Sequence, residues 1–290
     1  MSFRSLEEIV KLCREQKQEF WEIILEDDLE ERMTTREESL SKMHLLYQTM
    51  KNADAAYDKS LMSASKLVGG DGEKMNRAIQ EDKVLGGPFI GEVIAKALKM
   101  GESNACMKKI VAAPTAGSCG VIPAVLLSYE EKYRASQDRM LEALYVASGI
   151  GEVIAARAFL AGAAGGCQAE IGSASAMAAG ALAYLNGGDN ECITHAAAMA
   201  LKNLLGLVCD TVGGLVEVPC IKRNVVGAMN AISSADMAVA GIRSQIPPDE
   251  VIDAMREVGE ALPRSLRETG EGGLAATPTG QVIMNGIMKS

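Results

Sequence analysis

Apolar residues recur at helical spacing along most of the chain. In "LEEIVKLCREQKQEFWEIIL", Leu6, Ile9, Val10, Cys13, Phe20, Ile23 and Ile24 fall near one helix face. The acidic run "EDDLEE" that follows reads as a solvated stretch. Helical patterning resumes over 35–52 and again over 53–67. Glycines break it at "VGGDGE" (68–73) and "LGGPF" (85–89), and Pro88 is placed to open the next helix. "VAAPTAGSCGVIPAVLLSYEEKYR" predicts a loop feeding a helix that tolerates Pro123 only in its first turn. "IPPDEVIDAMREVGEALP" (246–263) predicts another amphipathic helix, opened by its proline pair. The Gly- and Thr-rich "TGEGGLAATPTGQVIMNGIMKS" is expected to cross the surface. No strand-like alternation, fixed-period repeat or low-complexity linker stands out. The expected fold class is all-α, a compact multi-helix domain with buried central helices and Gly-rich loops. A helical extension over 1–52 would precede a core over 53–290.

Charge is unevenly spread. From Ala158 to Ala240 only Glu170, Asp189, Glu191, Lys202, Asp210, Glu217, Lys222, Arg223 and Asp236 are charged, about half the chain-wide density of 23%. Helices in such a region are surrounded by protein, so a site there would be secluded from water. The uncharged run "IGSASAMAAGALAYLNGG" (171–188) approaches the length of a membrane span. Its Gly, Ser, Ala and Asn content and lack of basic flanks favour a buried helix instead, with no membrane partner.

The 290 residues are 48% hydrophobic but only 4% aromatic, so small residues and Met must fill the core. The net charge of −9 argues against nucleic-acid binding, which needs a basic face. The N-terminus is charged from Arg4 onward and carries no export signal, which suits a cytoplasmic protein.

Candidate chemistry is sparse. Gly149-x-Gly151 begins a dinucleotide fingerprint, but Ile154 stands where its third glycine belongs, and close helix packing explains the glycines more simply. In "APTAGSCG" (113–120), Thr115, Gly117, Ser118 and Gly120 sit where a loop enters a helix. They suit an anion site, or Ser118 simply caps the helix. His195 lies in a core helix and reads as a hydrogen-bonded structural residue, while His44 lies on an exposed-looking one, so the chain is poor in the usual general base. The seven cysteines (13, 106, 119, 167, 192, 209 and 220) are an odd count that argues against a disulfide framework. Buried thiols, metal ligands and a nucleophile all remain open. Cys167, Cys209 and Cys220 differ from the others in context, since all fall in the charge-poor region beside glycine turns or a proline. Tight turns let backbone N–H groups approach sulfur.

Three blocks carry a resemblance: "NACMKKIVAAPTAGSCGVIPAVL" (104–126), "AGGCQAEIGSASAMAAGALAYLNGG" (164–188) and "GLVCDTVGGLVEVPCIKRNVVGAMNAISSADMA" (206–238). Together they closely resemble the bacterial iron–sulfur L-serine dehydratases, in particular the α subunit of the two-subunit form, from about Asp54 onward. The resemblance implies conversion of L-serine to pyruvate and ammonia with a 4Fe–4S cluster and no pyridoxal phosphate (PLP). It implies that Cys167, Cys209 and Cys220 hold the cluster. One iron would stay open as a Lewis acid for the substrate hydroxyl. Cys119 is not counted, because relatives often carry Ala there. Substrate contacts are expected from Ser63, Ser65, Asn104, Thr115, Gly117 and Ser118. The family's Gly-His-x-Thr-Asp and Ser-Ser-Ser-His-Thr motifs do not occur here, so the base is expected from a separate β subunit in an oligomer. The tail "NGIMKS" lacks the terminal cysteine that caps the open iron in some single-chain relatives. Two alternatives stand beside this reading: a cluster-dependent dehydratase of another small hydroxy or amino acid, and a non-catalytic helical interaction module.

Overall fold

The computed structural model describes residues 3–288; Lys289 and Ser290, the end of the tail, lie outside it. The first apolar stripe forms two helices rather than one. α1 (Leu6–Gln16) ends where Lys17 turns left-handed, and a capping box between Glu19 and Glu22 opens α2 (Phe20–Arg32). Both stripes face one core, in which Leu6, Ile9, Cys13, Phe20, Ile23 and Ile24 are buried. The acidic run is solvated at Glu26, Glu30 and Glu31, which are exposed. It is part of α2, however, and there Asp27 is buried.

α3 (Arg36–Ala55) starts with a capping box at Thr35 and Glu38. The helix expected over 53–67 does not form beyond Ala55, and an irregular loop runs on to Gly70. Short side chains compete for the backbone there: Ser60 N–H donates to Asp58 Oδ1 (2.9 Å) and Leu67 N–H to Ser65 Oγ (3.1 Å). α4 (Asp71–Gln80) follows. Its first N–H groups, from Asp71 (2.7 Å) and Gly72 (3.2 Å), donate to the buried carboxylate of Glu102.

α5 (Gly87–Ala105) and α6 (Val121–Tyr133) carry Pro88 and Pro123 in their first turns, as expected. Lys96 on α5 is buried and joins three helices, through Asp54 of α3 (2.7 Å) and Glu131 of α6 (2.9 Å). α7 (Gln137–Arg157) leads through the short α8 (Gly162–Gly165) to a π-helical turn, Gln168–Gly172, which runs straight into α9 (Ser173–Leu185). α10 (Asn190–Lys202), α11 (Cys220–Val239) and α12 (Pro248–Ala261) complete the body. The Gly- and Thr-rich tail ends in a further helix, α13 (Pro278–Ile287), which the sequence pattern did not predict.

The charge-poor region is the centre of the molecule. Every residue of α9 from Ser173 to Tyr184 is buried, and α6, α7, α10 and α11 pack around it. Small residues make this possible. A Cβ at Gly149 or Gly151 of α7 would run into Ile24 or Met177, so these glycines serve helix packing and not a nucleotide. Among the described residues the fold is all-α, without a sheet, and the one isolated backbone bridge joins Cys209 to Arg267. No described helix is long and apolar enough to cross a membrane.

The packing makes two outcomes measurable. A Cβ at Gly120, the residue before α6, would lie 2.7 Å from the carbonyl oxygen of Ala97 on α5. Gly120→Ala is expected to lower stability by about 1–3 kcal/mol. The readout is a lower urea midpoint at constant slope, and an unchanged midpoint would refute the close approach. On α7, burial, reinforced by the charges of Asp27 and Glu31, pushes the Glu152 carboxyl up to about 7. A carboxyl raised on folding contributes stability below its unfolded pKa and loses it as pH rises through the folded value. Between pH 5 and 8 the wild type should therefore lose stability relative to Glu152→Gln. Parallel stability curves for the two proteins would contradict this.

Candidate metal centre

Cys167 sits between α8 and the π-helical turn, at a backbone position fixed from several directions. Gly166 before it has φ +79°, and a Cβ there would meet the Leu207 carbonyl oxygen at 2.9 Å. The next residue, Gln168, is fully buried. Its backbone N–H donates to Leu207 O (2.9 Å), and its side chain donates to Met255 O (3.1 Å) and accepts from Gly206 N–H (2.8 Å). A π turn widens the helix just where the "GCQAE" segment enters α9, a device common at functional sites.

Cys209 is gripped by the tail segment. Its N–H donates to Leu266 O (2.8 Å), and its carbonyl accepts from Glu268 N–H (2.7 Å). From there the chain turns through left-handed Gly213 and Gly214 (φ +65° and +69°), and Val212 N–H closes the loop on Val218 O (2.9 Å). Cys220 then opens α11. The Gly-Gly bend thus returns the chain so that both cysteines of "CDTVGGLVEVPC" end in buried positions.

The sulfurs of Cys167 and Cys209 and a carboxylate oxygen of Glu170 lie within 4.8 Å of one another. The neighbouring Cys209 thiol holds the Cys167 thiol below its ordinary value, and the positive charge of Arg223 acts in the same sense. The Cys167 thiol, together with burial, pushes Cys209 up. Burial pushes Cys220 up to about 12, helped by negative charge on Cys167 and Glu170. Arg223 is itself fixed, donating to Val208 O and Asp210 Oδ1, both at 2.8 Å. Burial raises the Glu170 carboxyl, while hydrogen bonds from Thr115 and Gly162 oppose this.

The turn over 114–120 borders the same place. Thr115 and Ser118 hydroxyls are 3.1 Å apart, and Asn104 Nδ2 donates to Ala116 O (3.3 Å). Gly117 faces Glu170, whose carboxylate would be 3.0 Å from a Cβ there. The loop that suits an anion by its spacing thus already meets a carboxylate of its own chain. Ser118 does not cap α6. Gly120 holds the cap position, and its N–H donates to Asn224 Oδ1 (2.8 Å). The Asn224 amide also donates to Gly117 O (2.8 Å) and Cys220 O (3.0 Å), tying the turn to the start of α11. Ser63 and Ser65 lie further along, where both hydroxyls donate to the buried carboxylate of Glu217, within the 209–220 loop.

The remaining candidates are elsewhere. His195 accepts from Ser244 N–H (3.3 Å) through Nδ1, and burial holds it below its ordinary pKa, as suits a structural histidine. Cys119 is buried with its thiol on Met100 O (3.7 Å) and pushed up to about 12 by burial. Sequence reasoning passed over Gln168, Glu170, Glu217, Arg223 and Asn224. A signal for three of them existed: Glu170, Glu217 and Arg223, with Asp210, are among the few charges of the charge-poor region, and they gather here.

The model of one family, serine dehydratase alpha chain, matches residues 15–275. The chain belongs to this family. A Bacillus subtilis relative, named probable L-serine dehydratase, alpha chain, is 46% identical over 281 residues, 97% of this chain and 94% of its own. The L-serine dehydratase, alpha chain, of Peptoniphilus asaccharolyticus is 42% identical over 283 residues, 97% of each chain. An L-serine dehydratase of Streptomyces coelicolor is 43% identical over 181 residues, which make up 62% of this chain and 40% of that longer one.

In this member of the serine dehydratase alpha chain family, Asn224 is the joint between the turn and the cysteine loop. Asn224→Ala leaves the buried Gly120 N–H and Gly117 carbonyl without their side-chain partner. The expected cost is about 2–4 kcal/mol, measured by denaturant unfolding. A loss below about 0.5 kcal/mol would show that the joint is not needed.

Proposed function

We propose that this chain is the α subunit of an iron–sulfur L-serine dehydratase, a lyase that converts L-serine to pyruvate and ammonia. The observation that carries the reading is the meeting of Cys167 and Cys209, with Cys220 close enough to respond to charge on Cys167 and Glu170, in a member of this family. The donor set fits the group. Buried thiolates are the ligands that iron–sulfur clusters take, and Arg223 offsets part of their charge. The Thr211 hydroxyl, in the loop between two of the cysteines, is buried without a partner among the described residues, as a donor toward a sulfur-rich group would be. Cys167, Cys209 and Cys220 would hold the cluster. When bound, a 4Fe–4S cluster supplies a Lewis acid at an iron without a cysteine, and the reaction needs no net redox change.

The chain's own residues bind and orient. Thr115, Gly117, Ser118 and Asn104 form a rim beside the thiols, suited to hold L-serine by hydroxyl, amide and backbone contacts. Ser63 and Ser65 serve the rim through Glu217, which they fix in the cysteine loop. Burial on α9 and its neighbours keeps water from the thiol side, where electrostatic contacts gain strength. His195 is turned to Ser244 and is not available as the base. The proton on the substrate α-carbon is accordingly taken by a group from a β subunit, in a heteromeric enzyme. Seven unpaired cysteines suit a reducing, cytoplasmic setting.

Anaerobic reconstitution with iron and sulfide should load about four irons per chain. Cys167→Ala should lose the visible thiolate-to-iron absorbance, and pyruvate release from L-serine should require a β chain. A chain that takes up no iron, or a Cys167→Ala variant that keeps the full complement, would overturn the reading.

A further inference from the structure

Glu170 shares the thiol site and has no assigned task. Its carboxylate is cradled between two glycines: a Cβ would lie 3.0 Å away at Gly117 and 2.9 Å away at Gly162. That same position at Gly162 is 3.0 Å from Cys209 Sγ, so carboxylate and thiol lie side by side. Thr115 and Gly162 lie close enough to favour its charged form. No ion pair to a described residue neutralises it. Arg223, the arginine of the site, is taken up by Asp210, Val208 O and Cys167. A carboxylate drawn out of water is ordinarily paired with a cation or bound to a metal.

We propose that Glu170 ligates the one iron that Cys167, Cys209 and Cys220 leave without a thiolate, and that substrate displaces it. This rests on the cluster reading above. Three cysteines and one glutamate give four ligands for four irons. The thiolates are soft and hold the cluster; a carboxylate is a harder donor that exchanges more readily. Position agrees with this division of labour. The three cysteines are buried, whereas Glu170 and Thr115 are only partly so, which leaves the carboxylate on the more open side of the thiols. The exchange is a ligand substitution. The substrate hydroxyl oxygen takes the place of the carboxylate oxygen, Glu170 leaves as a carboxylate beside Thr115, and no electron is transferred.

The test compares the anaerobically reconstituted full chain with Glu170→Gln and Glu170→Cys, each with its β chain, by Mössbauer and electron paramagnetic resonance spectroscopy. In the wild type, L-serine should shift the signal of one iron in four. Glu170→Gln should lose that iron to a 3Fe signal, with affinity for it lowered about tenfold or more. Glu170→Cys should retain it and make its signal indifferent to L-serine. A Glu170→Gln variant with wild-type iron content and spectra overturns the inference alone. A rise only in the KM for L-serine overturns it equally, because Glu170 would then touch substrate and not iron. A wild-type chain that takes up no cluster overturns the inference together with the reading beneath it.

Discussion

The amide of Asn224 bonds three backbone groups that belong to two distant stretches of chain. Its oxygen accepts from Gly120, and its nitrogen donates to Gly117 and Cys220. The side chain is almost fully buried, so no water can take over these bonds. Through this one residue the turn before α6 and the first turn of α11 are held at a fixed separation. Cys220 belongs to one side of the joint, and Thr115, Gly117 and Ser118 to the other. The glycine at position 120 is part of the same constraint, because its missing Cβ lets the turn settle against α5.

Around that joint, charge is rationed. A protein interior tolerates ionised groups only where each has a partner, and the few charges of the central region comply in specific ways. Asp210 takes Arg223 and the N–H of Leu274, and Glu217 takes two serine hydroxyls. Arg223 also reaches Cys167, so one guanidinium serves both the loop backbone and a thiol. Glu170 has a hydroxyl and an amide beside it and, like Glu217, no ion pair to a described residue.

Much of this was legible in the residues. Helical periodicity, the charge-poor core, the proline-opened helices and the packing glycines of α7 follow from local spacing, and local spacing is what a sequence displays. The errors arose where short-range capping overrode periodicity. Glu19 and Glu22 split one apolar stripe into α1 and α2, and Asp58, Ser60 and Ser65 drew the backbone out of a helix that the pattern favoured. The candidate site was half legible as a gathering of residues. Its cysteines and hydroxyls stood out by context and by resemblance to a family. Asn224 and Gln168 did not, because their partners are far away in sequence: Gly117 is 107 residues from Asn224, and Met255 is 87 from Gln168. A polar residue whose task is to satisfy a remote carbonyl carries no mark of it in its neighbours.

The grip of the tail on Cys209 sets a timetable for building the molecule. Leu266 and Glu268 hold that cysteine from both sides, and Leu274 fastens Asp210 next to it. All three cysteines leave the ribosome before the segment that positions the second of them. The nascent chain therefore exposes its thiols ahead of their final arrangement, and the stretch after α12 is the part that closes the site. Were the proposed thiol centre assembled here, its maturation would be a matter of order of synthesis as much as of affinity.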